Sequence, residues 1–156
     1  FLNERPGESA NAPPGGAIKH FYTKVVGVTH ENRDGRRRQD IIPCCHEGEQ
    51  LEMVHEPDNP HDKNAIKVCR LNGDQLGYIR RELAEDIIKR LRNGYSFSVL
   101  LKNITVGDEC LGANLLILQL EPGATVDDAI RYVHNTNASH SWGDDYDEYW
   151  ELNIDA

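Results

Sequence analysis

No stretch of this chain is apolar enough to make a membrane-spanning helix. The longest apolar run, Leu115-Leu116-Ile117-Leu118, falls far short of the roughly 18 residues such a helix needs and suits a buried strand instead. No basic segment followed by an apolar one stands near the start, so there is no sign of a secretory signal. Cysteine is scarce and poorly spaced for a scaffold: Cys44 and Cys45 are adjacent, while Cys69 and Cys110 stand alone. Neighbours in a strand point to opposite faces, so the adjacent pair does not begin an ordered disulfide framework. Reduced thiols, some buried as small hydrophobes, are expected, and these fit an intracellular protein of cytoplasm or nucleus.

Signatures of catalysis and of bound cofactors are missing as well. A zinc site drawn from Cys44, Cys45 and His46 lacks the short gap between ligands that structural sites use. No glycine-rich loop of the kind that cradles phosphate is present, and no Ser-His-Asp or Cys-His pattern has a recognisable context. Pro57-Asp58 ahead of Asp62-Lys63 hints at a metal-dependent nuclease. That chemistry needs an acid, one spacer and then a lysine, whereas Asp62 and Lys63 are adjacent. A non-enzymatic protein without metal or cofactor is the expectation.

What is present begins with charge. The net charge of −9 over 156 residues is unevenly spread. Residues 1–18 carry one Arg against two Glu; residues 19–102 carry 15 Lys and Arg against 13 Asp and Glu; residues 103–156 carry Arg131 alone against 11 acids. The excess acidity therefore sits in the last third, and the cations cluster before it. Local field rather than total charge governs phosphate binding, so an acidic chain of this kind is still compatible with a nucleic-acid partner.

Residues 1–18, with Pro13-Pro14-Gly15-Gly16, suggest a flexible leader, with order starting near Phe21. Strands are expected over residues 23–30, 39–45, 50–55, 65–70, 75–79, 95–106 and 113–120. Asp34-Gly35 marks a turn before Arg36-Arg37-Arg38, and Asn72-Gly73 is a strong hairpin signal. The two prolines in Glu56-Pro57-Asp58-Asn59-Pro60 cannot donate to a ladder, so this segment must be an exposed loop. From Leu83 to Leu91 the apolar period becomes helical, with acids early, Lys89, Arg90 and Arg92 late, and Gly94 as the stop. Thr125 with Asp128 suggests a capping box opening a short helix over residues 123–134, with Val126, Ala129, Ile130 and Val133 on its buried face. Residues 135–156 form an acidic tail containing Trp142, Tyr146, Tyr149 and Trp150. Seven short strands around one helix, or two with the capped one, argue for a mainly β protein: a small OB-like or SH3-like barrel of about six or seven strands.

The most informative block is Glu56-Pro57-Asp58-Asn59-Pro60-His61-Asp62-Lys63-Asn64-Ala65-Ile66-Lys67-Val68, followed after the hairpin by Leu76-Gly77-Tyr78-Ile79-Arg80-Arg81. It resembles the HIRAN domain over roughly residues 21–106, the core at residues 19–122, and leaves leader and tail uncovered. The resemblance implies an OB-like barrel that captures the 3′ end of single-stranded DNA without catalysing anything, in DNA repair or replication-fork processing, with a helicase or nuclease supplying the chemistry. It implies that His61 and Asp62 surround the terminal nucleotide, that Tyr78 meets the DNA with its ring, that Arg81 meets phosphate, with Arg80 beside it, and that Arg38 and Gln39 stand near the family's Arg-Tyr pair. His61 replaces the usual Tyr.

Residue chemistry runs in the same direction. A carboxylate in a phosphate-binding groove makes sense if it accepts a hydrogen bond from a terminal sugar hydroxyl, a donor that internal phosphodiesters lack. Asp62 and Tyr78 are accordingly expected to share one pocket, ring on one side and carboxylate on the other. Tyr78 and His61 offer stacking faces, and Arg36, Arg37, Arg38, Arg80 and Arg81 are candidates for phosphate contacts. Blander roles stand beside these: Asp62 and Asn64 as turn caps, Tyr78 as an ordinary strand aromatic, residues 36–38 as a solvated loop. A different class of function, a protein-docking module of the same fold, uses the acidic tail as a partner-binding or autoinhibitory segment that competes with DNA.

Overall fold

The structure, a computed structural model, describes residues 18–136; the leader up to residue 17 and the tail from residue 137 lie outside the described residues. Six strands, β1 (Ile18–Lys24), β2 (Gln50–His55), β3 (Ile66–Arg70), β4 (Gln75–Tyr78), β5 (Ser96–Val106) and β6 (Leu111–Leu120), form one antiparallel sheet in the order β1-β6-β5-β2-β3-β4. Three helices accompany it: α1 (Arg38–Ile41), which runs into a 3-10 turn over Ile42–Cys44, α2 (Arg81–Arg92) and α3 (Val126–Thr136). The sheet curls into a half-barrel because the chain just after β1 meets β4. Val26 and Tyr78 exchange backbone hydrogen bonds of 2.9 Å in both directions.

The alternation of β6 explains its burial on both faces. Leu115 and Ile117 face the main core with Phe21, Val99 and Leu83. Leu116 packs with Tyr22 and Leu100 on the opposite face, and Leu118 and Leu120 lie under Ala129 of α3. The helix is held there by Tyr132, whose hydroxyl lies 2.6 Å from His20 Nδ1. Its start is the expected capping box: the Thr125 N–H donates to Asp128 Oδ2 at 2.9 Å, and the Asp128 N–H donates to Thr125 Oγ1 at 3.1 Å. In α2, Leu83, Ala84, Ile87 and Ile88 are buried, and Gly94, at φ +92°, ends the helix. Gly73, at φ +98°, makes the β3–β4 hairpin turn.

Several expectations are corrected. Residues 39–45 are not a strand but α1 and its 3-10 turn. Pro43 sits at the start of that turn, where its missing N–H costs nothing, and Ile41, Ile42 and Cys45 are buried at helical spacing. The first strand covers Ile18–Lys24 rather than residues 23–30, and beyond it the chain bends through Gly27 at φ +73°. Six strands result, within the six or seven expected of the barrel. On α3, Ala129 is buried but Val126 and Ile130 are exposed, because the helix presents Ala129, Tyr132 and Val133 to the sheet.

Candidate nucleic-acid interface

The loop over residues 56–65 is built by its own asparagine and aspartate side chains. Its neck closes with the Glu56 N–H donating to the Ala65 carbonyl at 2.8 Å. Inside, Asn59 Oδ1 accepts the N–H groups of His61 (2.8 Å) and Asp62 (3.0 Å), and Asp62 Oδ1 accepts the Asn64 N–H at 2.9 Å. Side chains thus do what a strand ladder cannot do across two prolines. The cap role of Asp62 is real, but it engages one oxygen only. Asp62 Oδ2 has Arg81 Nε as its ion-pair partner at 3.9 Å, too long for a hydrogen bond.

Tyr78, at the end of β4, is fixed from two sides. Its hydroxyl donates to Glu56 Oε1 at 2.8 Å, and the same oxygen accepts from Asn59 Nδ2 at 2.7 Å. The Arg38 guanidinium lies 5.3 Å from the ring centroid. Burial by itself raises the pKa of Glu56, but hydrogen bonds from Asn59 and Tyr78, with Lys67 and Arg33 at 3.9 and 3.8 Å, outweigh it and leave the carboxyl below its ordinary value. The Tyr78 hydroxyl shifts upward, through burial first and its bond to Glu56 second.

Two open clefts meet at this loop. One, of about 390 Å³, is lined by Tyr78, Glu56, Arg33, Lys67 and the Glu31–Asp34 turn. The other, of about 430 Å³, is lined by Asp62, Lys63, Asn64, Arg81 and Glu85. Asn59, Pro60 and His61 border both. The expected single pocket is therefore two adjoining ones: the carboxylate beside Tyr78 is Glu56, and Asp62 stands across the ridge. Glu56 was absent from the expected site residues, although it opens the Glu-Pro block that carried the resemblance.

The other candidates divide. His61 and Arg81 are exposed at the clefts. Arg38 lines the Tyr78 cleft but is only 6% exposed, its guanidinium donating to Asn32 Oδ1 (2.7 Å) and the Gly27 carbonyl (2.8 Å). Gln39 ties the carbonyls of Val28 and Leu111 and accepts the Leu111 N–H. Arg80 occupies the N-cap of α2, half-buried, and lines neither cleft. Arg36 pairs with Asp74 at 2.7 Å and Arg37 with Asp40 at 4.0 Å, so the three consecutive arginines do not form an open basic patch. Just past the 3-10 turn that follows α1, burial and then the nearby Glu49 push the Cys45 thiol up to about 11. Among the described residues no three His, Cys, Asp or Glu side chains gather as a metal site.

The family model of the HIRAN domain matches residues 18–112, more than half of the chain. The chain belongs to the HIRAN domain family. Every residue of both clefts falls inside this HIRAN match. A 36-residue stretch is 56% identical to the helicase-like transcription factor of Oryctolagus cuniculus, and a 36-residue stretch is 50% identical to that of Homo sapiens. Each match takes in 23% of this chain and spans only 4% of the length of the relative. The HIRAN fold is also seen in solved structures. The crystal structure of the HIRAN domain of human HLTF has a TM-score of 0.51 at 21% identity, covering 82% of this chain and 94% of that one. A protein from Lactobacillus plantarum has a TM-score of 0.52 at 23% identity, covering 69% of this chain and 99% of that one.

Proposed function

We propose that this HIRAN domain is a non-catalytic, intracellular module that binds single-stranded DNA, preferentially at a free 3′-hydroxyl end, for DNA repair or replication-fork processing. A helicase or nuclease partner supplies the chemistry. The observation that carries this reading is the Asp62 carboxylate: one oxygen is tied to the Asn64 N–H, and the other faces an open cleft opposite Arg81. An ionised carboxylate only accepts hydrogen bonds. A terminal hydroxyl satisfies it, whereas an internal phosphate brings like charge against it. Arg81 then neutralises the phosphate preceding the terminal sugar, and Tyr78 and His61 offer ring faces to the terminal base across the ridge.

The balance of charge supports an end rather than a long track. Arg33, Arg38, Lys63, Lys67 and Arg81 around the clefts are matched by Glu31, Asp34 and Glu85 as well as by Glu56 and Asp62. Affinity along a continuous strand needs many phosphate contacts, so here discrimination must come from the terminal nucleotide.

The test compares labelled single strands ending in a 3′-hydroxyl or a 3′-phosphate by fluorescence anisotropy. The hydroxyl end is expected to bind at least about tenfold more tightly, the worth of one hydrogen bond to a charged acceptor. Asp62→Ala should bring that ratio towards one. Arg81→Ala should weaken both ends alike and reduce the salt slope by about one phosphate contact. Equal binding of the two ends by the unaltered protein sinks the assignment to Asp62, and no binding to either favours the protein-docking role.

A further inference from the structure

We infer that the cleft beside Tyr78 selects the terminal nucleobase, accepting bases that carry an exocyclic amino group and rejecting thymine and uracil, with Glu56 as the discriminating residue. This rests on the end-binding reading above and adds base identity to it.

The two oxygens of Glu56 are in different states. Oε1 is saturated by the Tyr78 hydroxyl and by Asn59 Nδ2. Oε2 accepts no hydrogen bond from the described residues; its neighbours are Arg33 at 3.8 Å and Lys67 at 3.9 Å. The side chain is only 8% exposed, and what is exposed lies on a cleft that Arg33, Lys67 and Tyr78 also line. Oε2 is not a buried atom but opens on the cleft, and an ionised carboxylate only accepts hydrogen bonds, so a ligand that presents an N–H donor there is preferred over one that presents a carbonyl oxygen.

A base reaching the floor of this cleft is held by a ring. Arg38 stands over the Tyr78 ring, the ring lines the cleft, and His61 stands at its rim. With the base so placed, its hydrogen-bonding edge meets Glu56. Cytosine offers its N4 amino group, adenine its N6 amino group, and guanine N1–H together with its N2 amino group. Thymine and uracil offer N3–H between two carbonyl oxygens, whose lone pairs oppose the carboxylate. A phosphate in the same place meets the Glu56 charge directly, so the cleft is built for a base and the cations at its rim offset the carboxylate.

Deoxycytidine and deoxyuridine isolate the amino group, since the two rings have the same shape. Strands identical except for a 3′-terminal dC or dU, both with a free 3′-hydroxyl, are compared by anisotropy with the intact protein. The dC end is expected to bind about tenfold more tightly, the worth of one good base-edge contact. Dot-for-dot, dA and dG ends should follow dC, and dT should follow dU. In Glu56→Gln, whose amide can present either a donor or an acceptor, the dC-to-dU ratio should fall towards one, with thermal unfolding checking that the variant is folded. Should it not fold, the ratio in the intact protein still decides. Equal binding of dC and dU while the 3′-hydroxyl preference persists overturns the base-selecting role and leaves the end-binding reading in place. Loss of the hydroxyl preference as well overturns both. A ratio that survives in folded Glu56→Gln assigns the discrimination to another residue.

Discussion

Gly77→Ala is expected to cost about 3 kcal/mol of stability, the upper part of the range for overpacking a closed site. At roughly 4 °C per kcal/mol, where the ranges for smaller and larger domains meet, thermal unfolding should move down by about 12 °C. The reason is space rather than backbone conformation. A Cβ at position 77 would lie 2.4 Å from the Val26 carbonyl oxygen and 2.6 Å from Val25 Cγ1. Backbone cannot swing aside as a long side chain can. The atom it strikes belongs to the paired hydrogen bonds between Val26 and Tyr78 that curl the sheet. Gly112→Ala is the proper comparison, because its new Cβ would meet the Thr105 hydroxyl at 2.6 Å, a group that can rotate away. Gly73→Ala meets nothing within 4 Å and is strained only by its φ of +98°, a cost of about 1 kcal/mol. The order Gly77 far above Gly73 and Gly112 in a calorimetric series is the expected result. Similar losses at all three positions would mean that the Val26–Tyr78 junction does not set the stability of the barrel.

That junction also shows what the sequence did and did not reveal. The hairpin at Asn72-Gly73, the helix from Arg81 to Arg92 and the long β5–β6 pair were legible because each depends on local turn chemistry or an unbroken apolar period. Residues 39–45 misled because Ile41, Ile42 and Cys45 suit a strand as well as a helix by composition, and only Gln39, bonded to Leu111 across the core, shows which is stabilised. The loop over residues 56–60 was placed correctly by its prolines, although Glu56 at its start is buried rather than exposed. The bonding from there to Ala65 was half legible: Asp62 as a turn cap follows from the chemistry of aspartate, whereas the meeting of Glu56 with Tyr78 joins residues 22 apart in sequence and leaves no local trace. The same limit applies to the arginines. A run of three suggests a basic surface, but Asp40 and Asp74 pair with two of them, and the third is buried.

That third arginine is the subject of the last prediction. Arg38→Met keeps much of the side-chain volume but removes the donors to Asn32 Oδ1 and the Gly27 carbonyl, and the cation beside the Tyr78 ring. Gly27 and Asn32 are half-buried, so each acceptor left unpaired costs about 1–2 kcal/mol, the lower part of the range for a buried group, and a loss of about 2–4 kcal/mol is expected, read as a fall in the denaturant midpoint at unchanged slope. Arg38→Lys should recover little of it, because an ammonium does not reproduce the planar fork that reaches two acceptors while lying beside a ring. Burial pulls the pKa of this guanidinium down, and Tyr78 and Glu56 pull it back; it stays cationic, as arginine does in proteins. Its charge is nonetheless directed at the protein. For DNA binding measured well below the unfolding temperature, affinity should fall through the displaced Tyr78 ring while the dependence on salt stays as it was. A contact to phosphate behaves differently, since removing it lowers the salt slope by about one, as expected of Arg81. A matching drop in slope for Arg38→Met would show that this side chain leaves its internal partners to meet the strand, and that the cleft beside Tyr78 rearranges when DNA binds.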